Sequence, residues 1–188
     1  MPDTDKSARI YRVLGADELR RSKCGREAFR SKPRHPIKLV LDRVSQNYNI
    51  GAIFRLCDAM LVEELIVCGA DVNLRNRKFV QAARGTQFWV PWSQAGSAAD
   101  VVTRLKADGY QIAIAELAAG SVPPEQYMPR APVCLVMGAE FDGVSPAVME
   151  MADIALEIPM FGMANSINVA TAAAVILYHL CRQKTGDQ

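Results

Sequence analysis

"IKLVLDRVSQNYNIGAIFRLCDAMLVEELIVCGA", residues 37–70, contains the order of elements that decides the fold. It opens with IKLVLDRV (37–44), a short apolar run of strand length, and it ends with a second such run, EELIVCGA (63–70). Between them, NIGAIFRLCDAM (49–60) carries apolar residues at helical spacing. A strand, a helix and a strand in this order favour two parallel strands joined by a crossover helix.

The same alternation continues along the chain. Helical patterns and strand-like runs follow one another as NRKFVQAARG (76–85), GSAADVVTRLKADG (96–109), YQIAIAEL (110–117), APVCLVMGAE (131–140), SPAVMEMA (145–152), DIALEIPM (153–160) and an Ala-rich helix that reaches residue 180. The sequence therefore predicts an α/β fold, with a mainly parallel sheet flanked by helices. The two prolines of SKPRHP (31–36) mark a boundary, so we expect an N-terminal arm at 1–36 and one domain at 37–188.

The charge is uneven along the chain. Residues 1–38 carry 11 Lys and Arg against 5 Asp and Glu, whereas residues 39–188 carry 11 against 15. A basic arm before a mildly acidic body suggests a polyanionic partner such as RNA, although a solubilising tail has the same composition. A second basic group stands where no acidic residue occurs between Val72 and Ala99, and we predict that it contacts RNA phosphates: Arg75, Arg77, Lys78 and Arg84.

Cysteine and histidine usage points away from a metal or disulfide framework. The five cysteines are scattered without a CxxC pair, and only two histidines are present. We therefore expect no metal site and no disulfides. The apolar runs are too short to span a bilayer, and the N-terminal residues lack the apolar stretch of a signal peptide. We expect a reduced, cytoplasmic protein with no membrane partner.

Ligands of parallel α/β sheets bind at the carboxyl ends of the strands. The loops to inspect therefore follow residues 43, 115, 137 and 158. The loop after residue 115, ELAAGSVPPEQYMP, is Pro-rich and lacks a phosphate-binding pattern, so it gives no sign of a site. The other three loops carry polar residues in unusual arrangements.

The loop after residue 43 leads into Asn49, Gly51 and Arg55, in Asn-x-Gly-x-x-x-Arg spacing. Asn49 can cap the helix, and Gly51 allows another backbone or a ligand to approach closely. Arg55 lies in an otherwise apolar stretch and can pair with Asp58, three residues further on. A structural and a functional role for Arg55 both stay open at this point.

In LVMGAEFDGVS (135–145), an apolar strand ends at Gly138, and Glu140 and Gly143 follow. These glycines fit either a plain turn or a site, although a carboxylate in such a turn is less expected. In EIPMFGMANSIN (157–168), a Pro and a Gly precede Asn165 and Ser166, which we predict to cap the last helix, and Asn168. One capping residue satisfies the start of a helix, so this group favours a ligand site built on the free amides.

Together and in this order, the three loops resemble the motifs of SpoU/TrmH-type RNA methyltransferases of the SPOUT superfamily. The family motifs are Asn-x-x-x-x-x-Arg with an intervening Gly, a strand followed by Gly-x-Glu-x-x-Gly, and Ile-Pro-Met with a Gly before Ser-Leu-Asn-Val and an Ala-rich helix. Ile167 stands in place of the usual Leu. The matching residues, within a resemblance over 36–182, are Asn49, Gly51, Arg55, Gly138, Glu140, Gly143, Ile158, Pro159, Met160, Gly162, Ser166, Asn168 and Val169.

The resemblance implies a fold, a reaction and a cofactor. Family members transfer a methyl group from S-adenosyl-L-methionine to a ribose 2′-hydroxyl of tRNA or rRNA, contain a C-terminal deep trefoil knot, and act as homodimers. A glycine-rich nucleotide loop of the Rossmann type is then not needed. The implied cofactor-binding residues are Met137, Gly138, Gly143, Ile158, Met160, Ser166 and Ile167.

The resemblance also implies catalytic roles. The family proposal makes Arg55 the base and turns it toward the cofactor pocket of the other subunit. Because a guanidinium is not normally deprotonated in proteins, we favour a clamp on the substrate phosphate, with a phosphate oxygen or water taking the proton. Glu140 would act as a base or hold Arg55. Asn49, Ser166 and Asn168 would hold Arg55, the ribose or the cofactor by hydrogen bonds.

Two alternatives stay open. A SPOUT methyltransferase can modify an RNA base instead of the ribose, although the Asn-Gly-Arg and Ser-Ile-Asn motifs favour the ribose. The chain could also be an RNA-binding module that has lost catalysis, and the intact Asn49, Arg55 and Glu140 speak against that. The target RNA and its modified nucleotide are not predicted by the sequence.

Overall fold

The computed structural model describes residues 12–21 and 23–184. The chain divides into two compact units with the boundary between Lys32 and Pro33. Within the first unit lie two short helices that the sequence analysis does not predict, α1 (Ala16–Arg21) and α2 (Arg26–Arg30). Residues 1–11 of the predicted basic arm lie outside the described residues.

The second unit is built on a six-stranded sheet in which every strand pair is parallel. The strand order is β3-β2-β1-β5-β4-β6, so the chain runs outward from β1 to one edge and then returns to the other side. Strand order therefore reverses between β1 and β5. The strands are β1 (His35–Asp42), β2 (Val62–Cys68), β3 (Trp92–Ala95), β4 (Gln111–Ala115), β5 (Val133–Gly138) and β6 (Ile154–Leu156).

Five helices cover the two faces of this sheet, which confirms the predicted α/β class. The apolar side chains of α3, α4 and α7 pack on one face, and those of α5 and α6 pack on the other. The helices are α3 (Asn47–Ala59), α4 (Arg77–Ala83), α5 (Ala98–Ala107), α6 (Pro146–Met149) and α7 (Val169–Lys184).

Strand β1 shows why its sequence is apolar without alternation. Ile37, Leu39 and Leu41 point toward the α3 face, Val40 points toward the α5 face, and all four are fully buried. A strand covered on both faces gains from apolar residues at every position. Because β1 begins at His35, the last two residues of the predicted arm belong to the sheet.

Gly51 explains how α3 and α4 pack so closely. A Cβ on Gly51 would lie 2.6 Å from the Phe79 carbonyl oxygen and 3.0 Å from the Ala82 Cβ. The glycine therefore lets the backbone of α4 approach the first turns of α3. Of the two roles that the sequence leaves open for Gly51, the structure shows the approach of another backbone.

The structure corrects two details of the element prediction. Strand β3 is not predicted, because its four residues show no alternation or apolar run. They form a strand through hydrogen bonding to β2. Asn49 does not cap α3, which begins two residues earlier at Asn47 with Gln46 as the N-cap. A helix start is a weak local signal, and boundaries inferred from it shift by a few residues.

Candidate active site

A cavity of about 510 Å³ lies at the carboxyl ends of β4, β5 and β6, beside the first turns of α7. Its walls include Met137, Leu156 and Ile176, which present apolar surface from the strands and the helix. The residues predicted to hold the cofactor all line it: Met137, Gly138, Gly143, Ile158, Met160, Ser166 and Ile167. Sites for small organic ligands typically have volumes in this range and predominantly apolar walls.

Two glycines form the part of the cavity wall that follows β5. The amide of Ala139 donates to the Gly143 carbonyl at 3.2 Å, and the Gly143 amide donates to the Ala139 carbonyl at 3.0 Å, which closes a tight loop. A Cβ on Gly138 would overlap the backbone of Gly143. Gly143 has φ +63°, in the left-handed region that favours glycine. The glycines of this motif thus serve a turn that is also a cavity wall.

Glu116 occupies the space that a side chain at position 143 would need. Its Oε2 accepts from the Val144 amide at 3.0 Å and its Oε1 accepts from the Leu117 amide at 3.1 Å. Glu116 and Leu117 line the cavity, so the loop after β4 contributes to the site although its sequence is uninformative. Glu116, like Glu140, is a carboxylate at the end of a strand. The Pro-rich sequence that follows Glu116 gives no further sign of a site.

A hydrogen-bonded chain joins the three predicted motifs. Asn49 is 1% exposed, and its Nδ2 donates to Glu140 Oε1. The Oδ1 of Asn49 accepts from Asn168 Nδ2 at 3.0 Å. Glu140 and Asn168 also line the cavity. The buried amide of Asn49 therefore links the loop after β5 to the start of α7, and Glu140 holds Asn49 rather than Arg55.

Asn168 is the residue that caps α7. Its Oδ1 accepts from the Ala170 amide at 3.0 Å and from the Thr171 amide at 3.4 Å. The prediction that Asn165 and Ser166 form this cap is therefore wrong. Both of those residues are exposed and line the cavity. Because one Asn satisfies the first turn of the helix, Asn165 and Ser166 are available to a ligand.

Arg55 lies on the exposed side of α3 and does not line the cavity. Its proposed alternative partner, Asp58, instead accepts from Trp89 Nε1 at 2.7 Å. Within residues 12–21 and 23–184, no hydrogen bond or ion pair involves the Arg55 guanidinium. The structure therefore leaves this cation open to solvent in a single copy of the chain.

The second basic group forms an exposed surface around α4. Arg75, Arg77, Lys78 and Arg84 are all exposed, and no acidic side chain of the described residues forms an ion pair with any of them. A groove of about 580 Å³ runs between the start of α4 and the start of α3, with Arg77, Lys78, Asn47 and Tyr48 in its lining. Because Asn49 follows directly on Asn47 and Tyr48 in the first turn of α3, this groove lies next to the hydrogen-bonded chain.

Carboxylates are the only charged groups of the described residues that line the cavity: Glu116, Glu140 and Glu157. Glu157 Oε2 accepts from the Ser121 hydroxyl at 2.6 Å. The cavity thus combines apolar walls with negative charge. This combination suits a ligand with an apolar ring and a net positive charge.

Residues 36–178 match the sequence model of the SpoU rRNA Methylase family. The chain belongs to the SpoU rRNA methylase family. The match takes in all six strands but for the first residue of β1. The three motifs and the cavity between them therefore lie within the family domain. The trefoil knot stays a prediction from the resemblance.

Relatives with assigned activities support this membership. The chain is 33% identical over 148 residues to a tRNA (guanosine(18)-2′-O)-methyltransferase of Escherichia coli K12, covering 79% of this chain and 64% of the relative. It is 32% identical over 143 residues to the 23S rRNA (guanosine(2553)-2′-O)-methyltransferase RlmP of Bacillus subtilis, covering 76% of this chain and 56% of the relative. The family domain described here thus spans less than two thirds of either relative.

Solved structures of SpoU proteins have the same fold. The TrmH/SpoU tRNA modifying enzyme of Aquifex aeolicus superposes with a TM-score of 0.76 at 30% identity, covering 90% of this chain and 83% of that one. The SpoU methyltransferase AviRb of Streptomyces viridochromogenes, in complex with AdoMet, gives a TM-score of 0.73 at 28% identity over 82% of this chain and 63% of that one.

The described residues contain neither a membrane-spanning helix nor a cluster of metal ligands. No helix among them is long and apolar enough to cross a membrane. No group of three or more His, Cys, Asp or Glu side chains in this part of the chain is arranged to hold a metal ion. All four described cysteines in the second unit sit in the apolar core, and burial raises the pKa of Cys68 to about 11 and of Cys134 to about 12.

Proposed function

We propose that the protein transfers a methyl group from S-adenosyl-L-methionine to a ribose 2′-hydroxyl of structured RNA, either tRNA or rRNA, in the cytoplasm. The observation that carries the proposal is the chain of hydrogen bonds from Glu140 through Asn49 to Asn168. It ties residues from all three family motifs together at the edge of one cavity. The names of the E. coli and B. subtilis relatives, both 2′-O-methyltransferases, support the ribose as the acceptor.

The cavity fits S-adenosyl-L-methionine in size and in chemistry. Its apolar walls suit an adenine ring, and the strand ends offer backbone groups for polar contacts. The carboxylates Glu116, Glu140 and Glu157 complement a ligand whose sulfonium and ammonium groups outweigh its one carboxylate. The AviRb structure, which has this fold and is in complex with AdoMet, supports the choice of this cofactor.

When bound, the cofactor supplies a methyl group on a positively charged sulfur, and the chain has to position the attacking hydroxyl. Holding the ribose oxygen in line with the methyl group supplies much of the rate. Arg55 is suited to this because a guanidinium forms paired hydrogen bonds to a phosphate. A phosphate oxygen or water then takes the hydroxyl proton. Ser166 and Asn165, free at the edge of the cavity, contact the ribose or the cofactor.

We propose that Arg55 completes the site of a second copy of the chain in a homodimer. In one copy, Arg55 is exposed and is absent from the cavity lining. Exposed apolar side chains on the outer surface of α7, Val175 and Tyr178, are available for contact with a second copy. The catalytic cation would then reach the cavity of its partner, and the dimer would be required for activity.

We propose that the basic surface around α4 binds the RNA backbone. Arg75, Arg77, Lys78 and Arg84 are exposed without acidic partners in the described residues. The groove between α3 and α4 adds the exposed ring of Tyr48. Cations and an aromatic ring together suit an unpaired RNA segment, whose phosphates pair with the cations and whose bases stack on the ring.

The proposed reaction can be tested by incubating the purified protein with cofactor labelled in its methyl group and either total tRNA or rRNA. Digestion to nucleosides and mass spectrometry locate the label. A mass increase on the ribose is expected, and the labelled nucleotide identifies the target. A mass increase on a base would replace the ribose proposal with base methylation. Failure to bind the cofactor at all would favour an RNA-binding module without catalysis.

The role of Arg55 can be tested with Arg55→Ala. We expect methylation to fall by at least about 100-fold, because positioning of the hydroxyl is lost, while cofactor affinity measured by calorimetry stays within about twofold. Arg130→Ala is a suitable control, since Arg130 is an exposed cation outside the cavity lining. Turnover of Arg55→Ala at the wild-type rate would remove Arg55 from the mechanism.

The role of the basic surface can be tested by its salt dependence. Changing Arg75, Arg77, Lys78 and Arg84 to Gln should weaken RNA binding and flatten the dependence of log Kd on log salt concentration, by up to about one unit of slope per lost phosphate contact. Cofactor affinity should not change. An unchanged slope would show that these residues form a solvated surface only.

A further inference from the structure

The residue that follows strand β1 has an unusual backbone conformation. Arg43, directly after β1, has φ 60°, in the left-handed region that costs energy for any residue with a Cβ. Glycine is the residue that adopts this conformation without strain. A long charged side chain held here needs contacts that compensate for the backbone, and such strain often accompanies a functional role.

The guanidinium of Arg43 contacts the loop that forms the cavity wall. Its Nη2 donates to the Gly143 carbonyl at 3.2 Å, and its Nη1 lies 3.7 Å from a carboxylate oxygen of Asp142. Gly143 is also the residue whose carbonyl accepts from the Ala139 amide. The side chain that directly follows β1 therefore contacts the loop 139–143 at the hydrogen bond that closes it.

The neighbouring residue, Asp42, holds the other end of the same segment. Asp42 is 2% exposed, and its Oδ2 accepts from the Ser145 amide at 2.7 Å. Its Oδ1 accepts from Arg43 Nε at 3.3 Å, so the buried carboxylate is paired with the guanidinium. In the sheet, Asp42 lies directly opposite Gly138, where β5 ends and the loop begins.

Contacts with the end of β2 and with Gly69 determine the direction of the Arg43 side chain. The amide of Arg43 donates to the Cys68 carbonyl at 2.9 Å, which fixes its backbone against the end of β2. A Cβ on Gly69 would lie 3.1 Å from the Arg43 Cγ, so glycine at this position leaves room for the side chain. The left-handed backbone, the glycine and the paired carboxylate direct the guanidinium toward residues 142 and 143.

We propose that the Asp42–Arg43 pair positions the cavity loop for the cofactor, so that cofactor affinity depends on the Arg43 guanidinium although Arg43 does not line the cavity. The pair acts as a positioning device, because its contacts are with the loop backbone and with Asp142. Without it, residues 139–145 lose three connections to β1 and sample conformations other than the one that forms the wall. The inference rests on the proposed cofactor and adds residues outside the three motifs to the site.

Two substitutions at one position separate positioning from stability. Arg43→Ala removes the guanidinium and keeps the strained backbone, whereas Arg43→Gly removes the guanidinium and relieves the strain. We expect both variants to bind S-adenosyl-L-methionine about tenfold more weakly by calorimetry, as for the loss of a charged hydrogen bond. Arg43→Gly should nevertheless melt at a higher temperature than Arg43→Ala. Arg43→Lys, which keeps the charge without the fork of donors, should fall between wild type and Arg43→Ala.

Hydrogen exchange of the protein without cofactor provides a readout that does not depend on the proposed function. Amides of residues 139–145 should exchange faster in both variants than in wild type, and no faster in the control Arg130→Ala. Cofactor affinity that follows the melting temperature, with Arg43→Gly binding like wild type, would overturn the proposal. Unchanged exchange in this loop would also overturn it. If wild type failed to bind the cofactor while the loop exchanged faster in the variants, the proposed function would fail and the positioning contact would stand.

Discussion

At the scale of single residues, Asn49 carries the geometry of the site. Its side-chain amide is buried, and it donates to Glu140 and accepts from Asn168. The buried polar groups of this hydrogen-bonded chain depend strongly on one another. If one of them is removed, its partner is left unpaired and destabilises the fold by its full free energy of desolvation. The residue that the sequence indicates as a helix cap is thus the link between the cavity loop and α7.

Asn49→Asp is the substitution that tests this link most directly. It replaces the Nδ2 donor with an oxygen, so that two carboxylates face each other in a buried position. We expect the free energy of unfolding to fall by about 2–4 kcal/mol near pH 7, and cofactor affinity to fall with it. The loss should shrink as the pH is lowered toward 5, where the two carboxylates share a proton.

Chemical denaturation at several pH values measures this effect, with Gln46→Glu as the control. Gln46 accepts from the same Asn49 Nδ2 at 3.3 Å but is exposed. The same change of charge there should cost less than about 0.5 kcal/mol. Equal losses for the two variants would contradict the importance of burial at Asn49.

Single residues also show how far the sequence predicts the site. Glycines at 138 and 143 and the carboxylate at 140 stand out because they follow a buried strand, and the structure places all three in the cavity wall. Glu116 does not stand out, since its partner is the amide of Val144, 28 residues away. The roles of Asp42 and Arg43 depend on contacts about 100 residues along the chain, and no local pattern predicts such contacts.

At the scale of elements, β1 and β2 share a charged cluster at the amino edge of the sheet. Lys38 Nζ lies 2.9 Å from Glu64 and 3.6 Å from Glu63, and it lies over the Tyr110 ring. Glu64 also accepts from the Ser93 hydroxyl at 2.8 Å. Burial alone would raise the pKa of Glu64, but the hydrogen bonds from Lys38 and Ser93 outweigh it, and the pKa is lowered.

This shift predicts how stability depends on pH. Because the pKa of Glu64 is lower in the folded state than in the unfolded chain, its contribution is present above about pH 4.3 and is lost as the pH falls through the folded value. Glu64→Gln should therefore lower the free energy of unfolding at pH 7, by roughly 0.5–1 kcal/mol after allowance for solvent screening. The difference from wild type should shrink as the pH falls below about 4.

Denaturant titrations of both proteins between pH 3 and 7 measure this difference. Glu125→Gln serves as the control, because Glu125 is exposed and forms no ion pair in the described part of the chain. A gap between Glu64→Gln and wild type that stayed constant down to pH 3 would show that Glu64 contributes through packing rather than through its charge.

Elements with a strong period of their own are the ones that the sequence predicts. The apolar run of β1 and the amphipathic pattern of α5 both lie where expected. Burial of a strand on two faces favours apolar residues at successive positions, and burial of a helix on one face favours them at helical spacing. Strand β3 has no such pattern in its sequence, because it is defined by backbone pairing with β2 and not by side-chain burial.

At the scale of the whole molecule, the position of Arg55 separates two assembly models. If Arg55 serves the cavity of its partner, two inactive variants can form one working site together. Arg55→Ala leaves the cavity intact, and Gly143→Val blocks it through the side chain of Glu116 and the positive φ. Co-expressed in equal amounts with different tags, they should give about a quarter of wild-type activity per subunit, because half the dimers are mixed and each has one working site.

Methylation is measured first on the unfractionated mixture and then on mixed dimers isolated through both tags, which should give about half of wild-type activity per subunit. Each variant alone should be inactive, and light scattering should show dimers in every sample. If Arg55 acted in its own subunit, the mixed dimer would contain no working site and would be as inactive as either parent.

The position of β5 between β1 and β4 has a consequence for the growing chain on the ribosome. About 90 residues separate the end of β1 from the start of β5. At a synthesis rate of about 5–20 residues per second, one edge of β1 stays open for roughly 5–20 s after β1 emerges. Open strand edges are templates for intermolecular pairing, and this one belongs to a strand whose apolar residues Ile37, Leu39, Val40 and Leu41 are fully buried in the folded protein. Slower synthesis, or a chaperone that covers nascent strands, therefore decides how much of this protein reaches the folded state.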